Sequence, residues 1–341
     1  MKKLLFLSLT FISFIGFSDI VKIPLSDPSL GYEVRGLGDE IEDVAVVFTN
    51  HLKTATWVAP KNLRNVSFLV VGGGGGGGGD RLSDATEGGA GGGGGGVVTG
   101  IVYKISKGDE ISVVVGAGGV GGVTSGKYAN GIWSGSSGGN SSFSVGGVNY
   151  VTAIGGGGDG GFRMPGKVGG SSAGSRSDKA NDTTLSPSPV QPLINTNGIS
   201  FYESFGSKGG DGLNSCFYAS AGGGGACGSG HSPMSDSRAG DGGEGLRCAI
   251  TGETLVYGSG GGGGSSIVYI QAKGGTGAGD GNEFRNNEAS AINGDGFSAL
   301  ANLGGGGGGG GGEGANGGKG GSGIVVLRYS VVKPGIKFFF K

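Results

Sequence analysis

Short runs of apolar residues, bounded by turn residues, recur along the chain. They are rich in Val, Ile, Phe and Trp and are separated by Asn, Pro, Asp and Gly, a pattern typical of short β-strands. The pattern predicts strands at residues 44–49, 55–58, 66–71, 97–105, 110–115, 148–154, 267–272 and 323–329. No segment repeats its apolar residues with a 3.6-residue period, so the sequence predicts few helices.

Uninterrupted glycine runs alternate with these strands. The longest lie at 72–79, 91–96, 155–158, 222–225, 260–264 and 304–312. Glycine loses the most backbone entropy on ordering and has no side chain to pack, so such runs are poor in ordinary helices and strands. They are either flexible linkers or a bundle of extended helices with three residues per turn, packed so closely that only glycine fits. Direct junctions with predicted strands at Val71, Val97 and Ile324 favour the bundle.

Composition and charge narrow the class of protein. Of 341 residues, 89 are Gly and 9 are Pro, a content at which aperiodic disorder is the default expectation. However, 25 basic residues balance 26 acidic ones, whereas chains that stay unfolded because of charge carry an excess of one sign. Because basic and acidic residues are equally common, the sequence shows no excess of positive charge of the kind that binds nucleic acid. We therefore expect no nucleic-acid partner.

Residues 1–18 have the pattern of a signal peptide. Lys2 and Lys3 precede an apolar stretch that ends at Phe17, and the small residues Gly16 and Ser18 have the spacing that signal peptidase favours. A membrane anchor is the alternative, but the stretch is shorter than the roughly twenty residues that a span needs. We therefore expect a secreted or surface-attached chain with no transmembrane span.

Changes in composition divide the remaining chain. A leader or linker is predicted at 19–43, one glycine-rich β domain at 44–330, and a C-terminal tail at 331–341. Within the domain, the segment 171–220 is polar and irregular and contains several prolines. It is predicted to be an exposed polar insertion.

Four motifs, in this order along the chain, resemble a known family. They are TWVAP at 56–60, LVV at 69–71 before a glycine run, GDEISVVVGAGG at 108–119, and GGSGIVVLRY at 320–329. Together they resemble the glycine-rich domain of exported bacterial and phage tail-fibre-type proteins, and more loosely the glycine-rich extracellular region of anaplastic lymphoma kinase-type receptors. The resemblance spans 44–330. It implies an all-β fold with little or no α-helix after the signal peptide, in which a β-sandwich-like frame carries an inserted bundle of polyglycine II helices.

The abundance of glycine also produces patterns that imitate catalytic motifs. Segments 121–127 and 161–167 match most of a phosphate-binding loop, but Tyr128 and Val168 follow where a Ser or Thr should bind magnesium. A serine triad would depend on His51 or His231 as its general base, and no helix is predicted after the candidate serines. We predict that the protein is not an enzyme.

Aromatic residues in predicted loops are the candidates for ligand contact, because exposed aromatic side chains often anchor partners. They are Tyr128, Trp133, Phe201, Tyr202, Phe205 and Phe217. Their alternative role is to pin the loops to the core.

The cysteines and one acidic turn are the remaining candidates, for a disulfide and for metal binding. Export permits one disulfide among Cys216, Cys227 and Cys248, and the alternative is that all three are incidental small residues. Their spacing lacks the close ligand pair of a zinc site. Segment 274–280 approaches a calcium-binding nonapeptide repeat but is not iterated, so calcium is a weak prediction and no other cofactor is expected.

These observations predict a recognition or adhesion module at a cell or virion surface. Its partner would be a surface protein or a carbohydrate, contacted by loops between glycine helices. Two alternatives stay open: a structural coat or matrix component that self-associates, and an ice-binding protein.

Overall fold

The computed structural model describes eleven segments of the chain. They are residues 31–37, 43–80, 88–124, 133–161, 164–176, 183–190, 192–216, 218–266, 271–282, 294–312 and 314–331. Strands are the regular secondary structure of these segments, which confirms the predicted all-β class. The predicted signal peptide at 1–18 and all of the predicted tail except Val331 lie outside the described residues.

Thirteen strands occur in the described residues. They are β1 (Tyr32–Leu37), β2 (Asp43–Phe48), β3 (Ala55–Val58), β4 (Leu63–Val71), β5 (Val97–Ile105), β6 (Glu110–Val114), β7 (Ser141–Val145), β8 (Val148–Ala153), β9 (Leu193–Ile194), β10 (Ile199–Phe205), β11 (Leu246–Cys248), β12 (Leu255–Tyr257) and β13 (Ile324–Ser330). A six-stranded sheet has the order β1-β2-β13-β4-β5-β10, and a five-stranded sheet has the order β3-β6-β7-β8-β9. All neighbouring pairs are antiparallel, and the last strand, β13, lies between β2 and β4.

The two sheets enclose the main hydrophobic core. Trp57 of β3 stacks on Tyr329 of β13 with ring centroids 6.1 Å apart, and Phe68 of β4 meets Phe143 of β7 at 5.4 Å. All four side chains are buried. Burying a large apolar side chain contributes roughly 1.5–3 kcal/mol, so these cross-sheet contacts hold the sheets together as a sandwich.

The six-stranded sheet is covered on its second face as well. Val47, Val71 and Val326 pack there against Tyr257 of the β11–β12 hairpin. Because both faces are buried, residues 44–48 and 68–71 are buried without alternation. This explains why the sequence shows continuous apolar runs at these strands.

Most predicted strands are confirmed, but several were missed. Those at 44–49, 55–58, 66–71, 97–105, 110–115, 148–154 and 323–329 correspond to β2, β3, β4, β5, β6, β8 and β13. The strand predicted at 267–272 lies mostly outside the described residues, and 271–272 are not in a strand. β7 was missed because its sequence, SSFSV, contains three serines.

The predicted leader at 19–43 is wrong over part of its length. Residues 32–37 form β1, which pairs with β2 along its whole length. Tyr32 lies against Phe48 with ring centroids 5.8 Å apart. Pairing with a buried strand therefore makes this segment part of the sandwich.

The exposed insertion predicted at 171–220 is also wrong in part. Residues 171–176 are buried, and Gly174 donates a backbone hydrogen bond to Gly91. Residues 199–205 form β10, which pairs with β5. The polar composition misled the prediction because serines can occupy buried positions where the backbone is bonded to neighbouring runs.

Candidate functional site: the glycine-run bundle

β4 leads directly into a glycine run, 72–80, which we call the central run. Its N–H groups donate to three different runs in a repeating three-residue cycle. Gly72, Gly75 and Gly78 donate to run 88–96; Gly73, Gly76 and Gly79 donate to run 133–139; Gly74, Gly77 and Asp80 donate to run 314–323. The N···O distances are 2.8 to 3.0 Å, so each bond has good geometry.

Three further runs donate to carbonyl groups of the central run. Gly119 of run 116–124, Gly156 of run 155–161 and Gly307 of run 304–312 donate to Gly74, Gly73 and Gly75 respectively. The central run therefore has six hydrogen-bonded neighbours. Run 88–96 also has six, namely runs 72–80, 155–161, 170–176, 219–226, 258–266 and 304–312. The runs together form a continuous bundle with a lattice-like cross-section.

The sandwich determines which runs are neighbours. β13, β4 and β5 are adjacent in the larger sheet, and they adjoin runs 314–323, 72–80 and 88–96. β6, β7 and β8 are adjacent in the smaller sheet, and they adjoin runs 116–124, 133–139 and 155–161. Three neighbouring strands of each sheet thus extend into the bundle and set its register.

Glycine is required in the interior of the bundle because neighbouring backbones lie too close for a Cβ atom. A Cβ at Gly75 would overlap the carbonyl group of Gly157, and one at Gly76 would overlap that of Val120. A Cβ at Gly77 would overlap the carbonyl group of Gly308. These three residues make up one three-residue cycle, and their Cβ atoms would point at three different runs. The central run therefore has no side on which a side chain would fit.

A buried ion pair closes the end of the bundle that lies away from the sandwich, which we call the far end. Arg176 and Asp159 are both fully buried, and their side chains meet at 2.7 Å (Nη2–Oδ2) and 3.1 Å (Nε–Oδ1). Arg176 Nη2 also donates to the carbonyl oxygen of Gly79 at 2.8 Å and to that of Trp133 at 3.3 Å. The pair joins the ends of four runs: 72–80, 133–139, 155–161 and 170–176.

Sequence reasoning missed the part played by this pair. Asp159 lies in a Gly-rich segment where an aspartate is typical of a turn, and its Oδ2 does accept the N–H of Gly161 at 2.9 Å. Arg176 was not singled out. The available signal was an arginine placed directly after the Gly- and Ser-rich segment 169–175.

An open cleft of about 500 Å³ lies on one flank of the bundle. Its walls are formed by run 228–231, run 240–245 and residues 273–274, and they carry His231, Glu244 and Lys273. The backbone N–H of Lys273 donates to Asp241 Oδ1 at 2.7 Å, and Lys273 Nζ lies 2.9 Å from Asp280 Oδ2. We call this feature the flank cleft.

A different flank exposes apolar side chains. Val120 and Val123 lie three residues apart on run 116–124, and Phe297 and Leu300 lie three residues apart on run 294–300. Each of the four is more than half exposed. Run 314–323 is bonded to both of these runs, so all three form one face, which we call the apolar flank.

A family model described as a glycine-rich domain matches residues 49–330. The chain belongs to this family. The matched range starts after β2 and ends at the last residue of β13, so it contains the glycine-run bundle and every strand except β1 and β2. A search of curated proteins found no match.

The described aromatic candidates lie in two different parts of the glycine-rich domain. Phe201, Tyr202 and Phe205 lie on strand β10 at the edge of the larger sheet, which corrects their prediction as loop residues. Phe201 and Tyr202 are 52% and 42% exposed, whereas Phe205 is half-buried against the second core. Trp133 is half-buried at the far end of the bundle, where its carbonyl group accepts the N–H of Gly79. The remaining candidates, Tyr128 and Phe217, lie outside the described residues.

The three cysteines of the glycine-rich domain are free thiols, so the predicted disulfide does not form. Cys216 is buried with its Sγ 3.9 Å from the carbonyl oxygen of Pro233, Cys248 is half-buried on β11, and Cys227 is exposed at a run end. Partial burial raises the pKa of the Cys227 thiol, which lowers its reactivity.

The calcium-like segment of the glycine-rich domain uses its aspartate in another way. Asp280 Oδ1 accepts the N–H of Gly274 at 2.9 Å, and Oδ2 binds Lys273 Nζ. In the part of the chain that the structure describes, no group of three or more His, Cys, Asp or Glu side chains is arranged to hold a metal ion. Within the same residues, no helix has the length and apolar character of a membrane span.

Proposed function

We propose that the chain is an exported, non-catalytic recognition or adhesion module at a cell or virion surface. The observation that carries this proposal is the central run, which is bonded to six neighbours and grows out of the sandwich. A backbone bonded on every side forms a stiff support, and stiff supports are where binding loops are usually presented. The rigid bundle thus suits the display of a surface at a distance from the sandwich.

We infer that the runs are polyglycine II helices. A helix with three residues per turn has no internal hydrogen bonds and must bond to its neighbours in a three-residue cycle. The donor cycle of the central run supports this assignment. Ordering each backbone residue costs about 1–2 kcal/mol, and each hydrogen bond contributes about 0.5–1.5 kcal/mol. The sandwich is therefore needed to hold the bundle in register.

The far end of the bundle is our candidate for the recognition surface. The half-buried residues Thr124 and Trp133 lie there at run ends, together with the buried side chains of Asp80 and Arg176. The Arg176–Asp159 pair fixes the ends of four runs at this place. The proposed partner of this surface is a protein or a carbohydrate exposed on a cell.

Two measurements test the proposal. The full chain is produced in a bacterial host, and the N-terminus of the exported product is sequenced; we expect it to begin at Asp19. The exported product is then labelled and titrated onto intact bacterial cells of several kinds. Saturable binding to at least one kind is expected, and a product that stays in the cytoplasm or binds without saturation contradicts the proposal.

A structural coat or matrix component is the second candidate, and the apolar flank favours it. Exposed patches of large apolar side chains commonly mark association surfaces. Self-association through this face predicts that the sedimentation coefficient rises with protein concentration and that Val120→Lys with Val123→Lys abolishes the rise. A concentration-independent monomer favours the recognition module instead. Ice binding stays a prediction, which a thermal-hysteresis measurement tests.

A further inference from the structure

The flank cleft lies where the lattice of runs stops. Its floor, run 240–245, bonds to run 219–226 through Gly240, to run 258–266 through Gly243, to the segment 227–231 through Asp241, and to Lys273 through Gly242. Interior runs have six neighbours, whereas the described residues supply this run with four. Two lattice positions beside it are therefore not filled by any described residue.

Backbone donors without a protein partner face this opening. The N–H groups of Gly240, Gly242 and Gly243 each bond to another run. Among the described residues, the N–H groups of Asp241 and Glu244 have no protein acceptor. These two are three residues apart, so the three-residue cycle points them to the same side. At about 3.1 Å per residue, they lie about 9 Å apart.

Around the opening, all the charged side chains except that of Glu244 are paired. Asp241 accepts the N–H of Lys273, and Arg238 Nη2 lies 3.7 Å from its other oxygen. Lys273 is paired with Asp280. The carboxylate of Glu244 and the imidazole of His231, by contrast, make no hydrogen bond to any described residue. The groups of the cleft that bond to no described residue thus include one strong acceptor, one imidazole and two backbone donors.

We propose that the flank cleft binds a neutral oligosaccharide. Sugar hydroxyls both donate and accept, so they can donate to Glu244 and accept from the N–H groups of Asp241 and Glu244. Gly242 and Gly243 carry no side chains, which lets a sugar ring lie close to the floor. Two donors about 9 Å apart can engage consecutive sugar rings. The unpaired carboxylate of Glu244 disfavours an acidic ligand.

This inference rests on the proposed recognition function and names the ligand of one surface of the module. A glycine-rich peptide is the rival ligand, because it could extend the lattice through the same N–H groups. The two ligands differ in their dependence on Glu244: sugar hydroxyls donate to its carboxylate, whereas a peptide occupying a lattice position bonds to the backbone alone.

The test is titration of the ¹⁵N-labelled exported chain, followed at the amides of Asp241 and Glu244. The probes are the neutral tetrasaccharides of glucose, mannose, galactose and N-acetylglucosamine, with sialyllactose as an acidic sugar and hexaglycine as the peptide. We expect saturable shifts of both amides with at least one neutral tetrasaccharide. No saturable shift with any of the four, or shifts with hexaglycine alone, overturns the proposal.

Variants of the cleft test whether the amide chemical-shift changes report binding at this site. Glu244→Gln should weaken the bound tetrasaccharide about tenfold, as expected for loss of a hydrogen bond to a charged group. Ser229→Trp should block binding, because Ser229 lines the cleft and is exposed. Glu203→Gln, at an exposed acid on β10, is the matched control and should bind like the wild type. Unchanged affinity in both cleft variants overturns the proposal.

The cell-binding titration separates this inference from the proposed function. If Ser229→Trp still binds cells with wild-type affinity while no tetrasaccharide shifts the two amides, the recognition function holds and the cleft assignment is wrong. If neither cells nor sugars are bound, both fail.

Discussion

Arg176 and Asp159, 17 residues apart in sequence, form an ion pair in which neither side chain is exposed to solvent. The pair lies where four runs end, and Arg176 also donates to the carbonyl oxygen of Gly79 on the central run. Buried charges are costly to desolvate, and breaking such a pair leaves one charge uncompensated. The pair therefore holds the far end of the bundle in a single arrangement.

Removing one member of the pair should destabilise the protein strongly. We expect Arg176→Ala to lower the free energy of unfolding by roughly 3–5 kcal/mol, because Asp159 is left buried and unpaired. Replacing both residues, as in Arg176→Met with Asp159→Leu, should cost less than the single change. Urea unfolding monitored by circular dichroism measures both losses.

The matched control is the exposed pair of Arg35 and Glu33, in which the two side chains are 39% and 55% exposed. Exposed pairs contribute about 0–1 kcal/mol, so Arg35→Ala should change stability little. Equal losses for Arg35→Ala and Arg176→Ala would contradict the assigned role of the buried pair.

A single methyl group in the central run should disrupt the bundle. Gly76→Ala places a Cβ against the carbonyl oxygen of Val120, and backbone atoms cannot move aside as a flexible side chain can. We expect a loss of at least about 1–3 kcal/mol, the usual cost of overpacking. Thermal unfolding by calorimetry measures it. Ala117→Ser is the control, because Ala117 lies on an edge run and is exposed; a comparable loss there would show that the position of the added atom is irrelevant.

Amide hydrogen exchange should distinguish the interior of the bundle from its edge. Every N–H group from Gly72 to Asp80 donates to a neighbouring run, so these amides should exchange at least about a hundredfold more slowly than unprotected amides. Asp241 and Glu244 should exchange fast, and Gly243 between them slowly, because Gly243 donates to Gly223. Uniformly fast exchange through 72–80 would contradict the bonded bundle and show that the runs are flexible tethers.

Much of this architecture could be predicted because its signals are local. The β-branched runs of β2, β4 and β13 are continuous, since both faces of their sheet are covered, and the glycine runs adjoin them directly. β10 was missed since its sequence, ISFYESF, mixes exposed aromatic and polar residues at a sheet edge, where burial imposes little pattern. An edge strand carries a weak signal because neither face has to be apolar throughout.

The buried pair and the flank cleft could not be read from local patterns. Arg176 is buried because four runs converge around it, and Gly79, to which it donates, is 97 residues away in sequence. The N–H groups of Asp241 and Glu244 bond to no described residue because of which runs lie beside 240–245, and that depends on the whole order of the lattice. Such features depend on which runs are neighbours. Repeated glycines carry no information about this, and the sequence indicates it only where a run joins a strand.

Alkaline pH should destabilise the sandwich through Tyr329. Burial raises the pKa of this phenol to about 12 from 10.0, so the folded state holds the proton more tightly than the unfolded state. The resulting stabilisation is fully present below pH 10 and is lost as the pH rises through about 12, a loss of roughly 2–3 kcal/mol for a shift of this size. The measurement is the free energy of unfolding in urea at several pH values between 9 and 12. Tyr329→Phe should weaken the dependence in this range, because Phe keeps the stacking on Trp57 but has no proton to lose. The dependence that remains comes from Tyr257, whose pKa burial also raises. Tyr103→Phe, at an exposed tyrosine, should leave the dependence as in the wild type; if it removes the dependence equally, the assignment to Tyr329 is wrong.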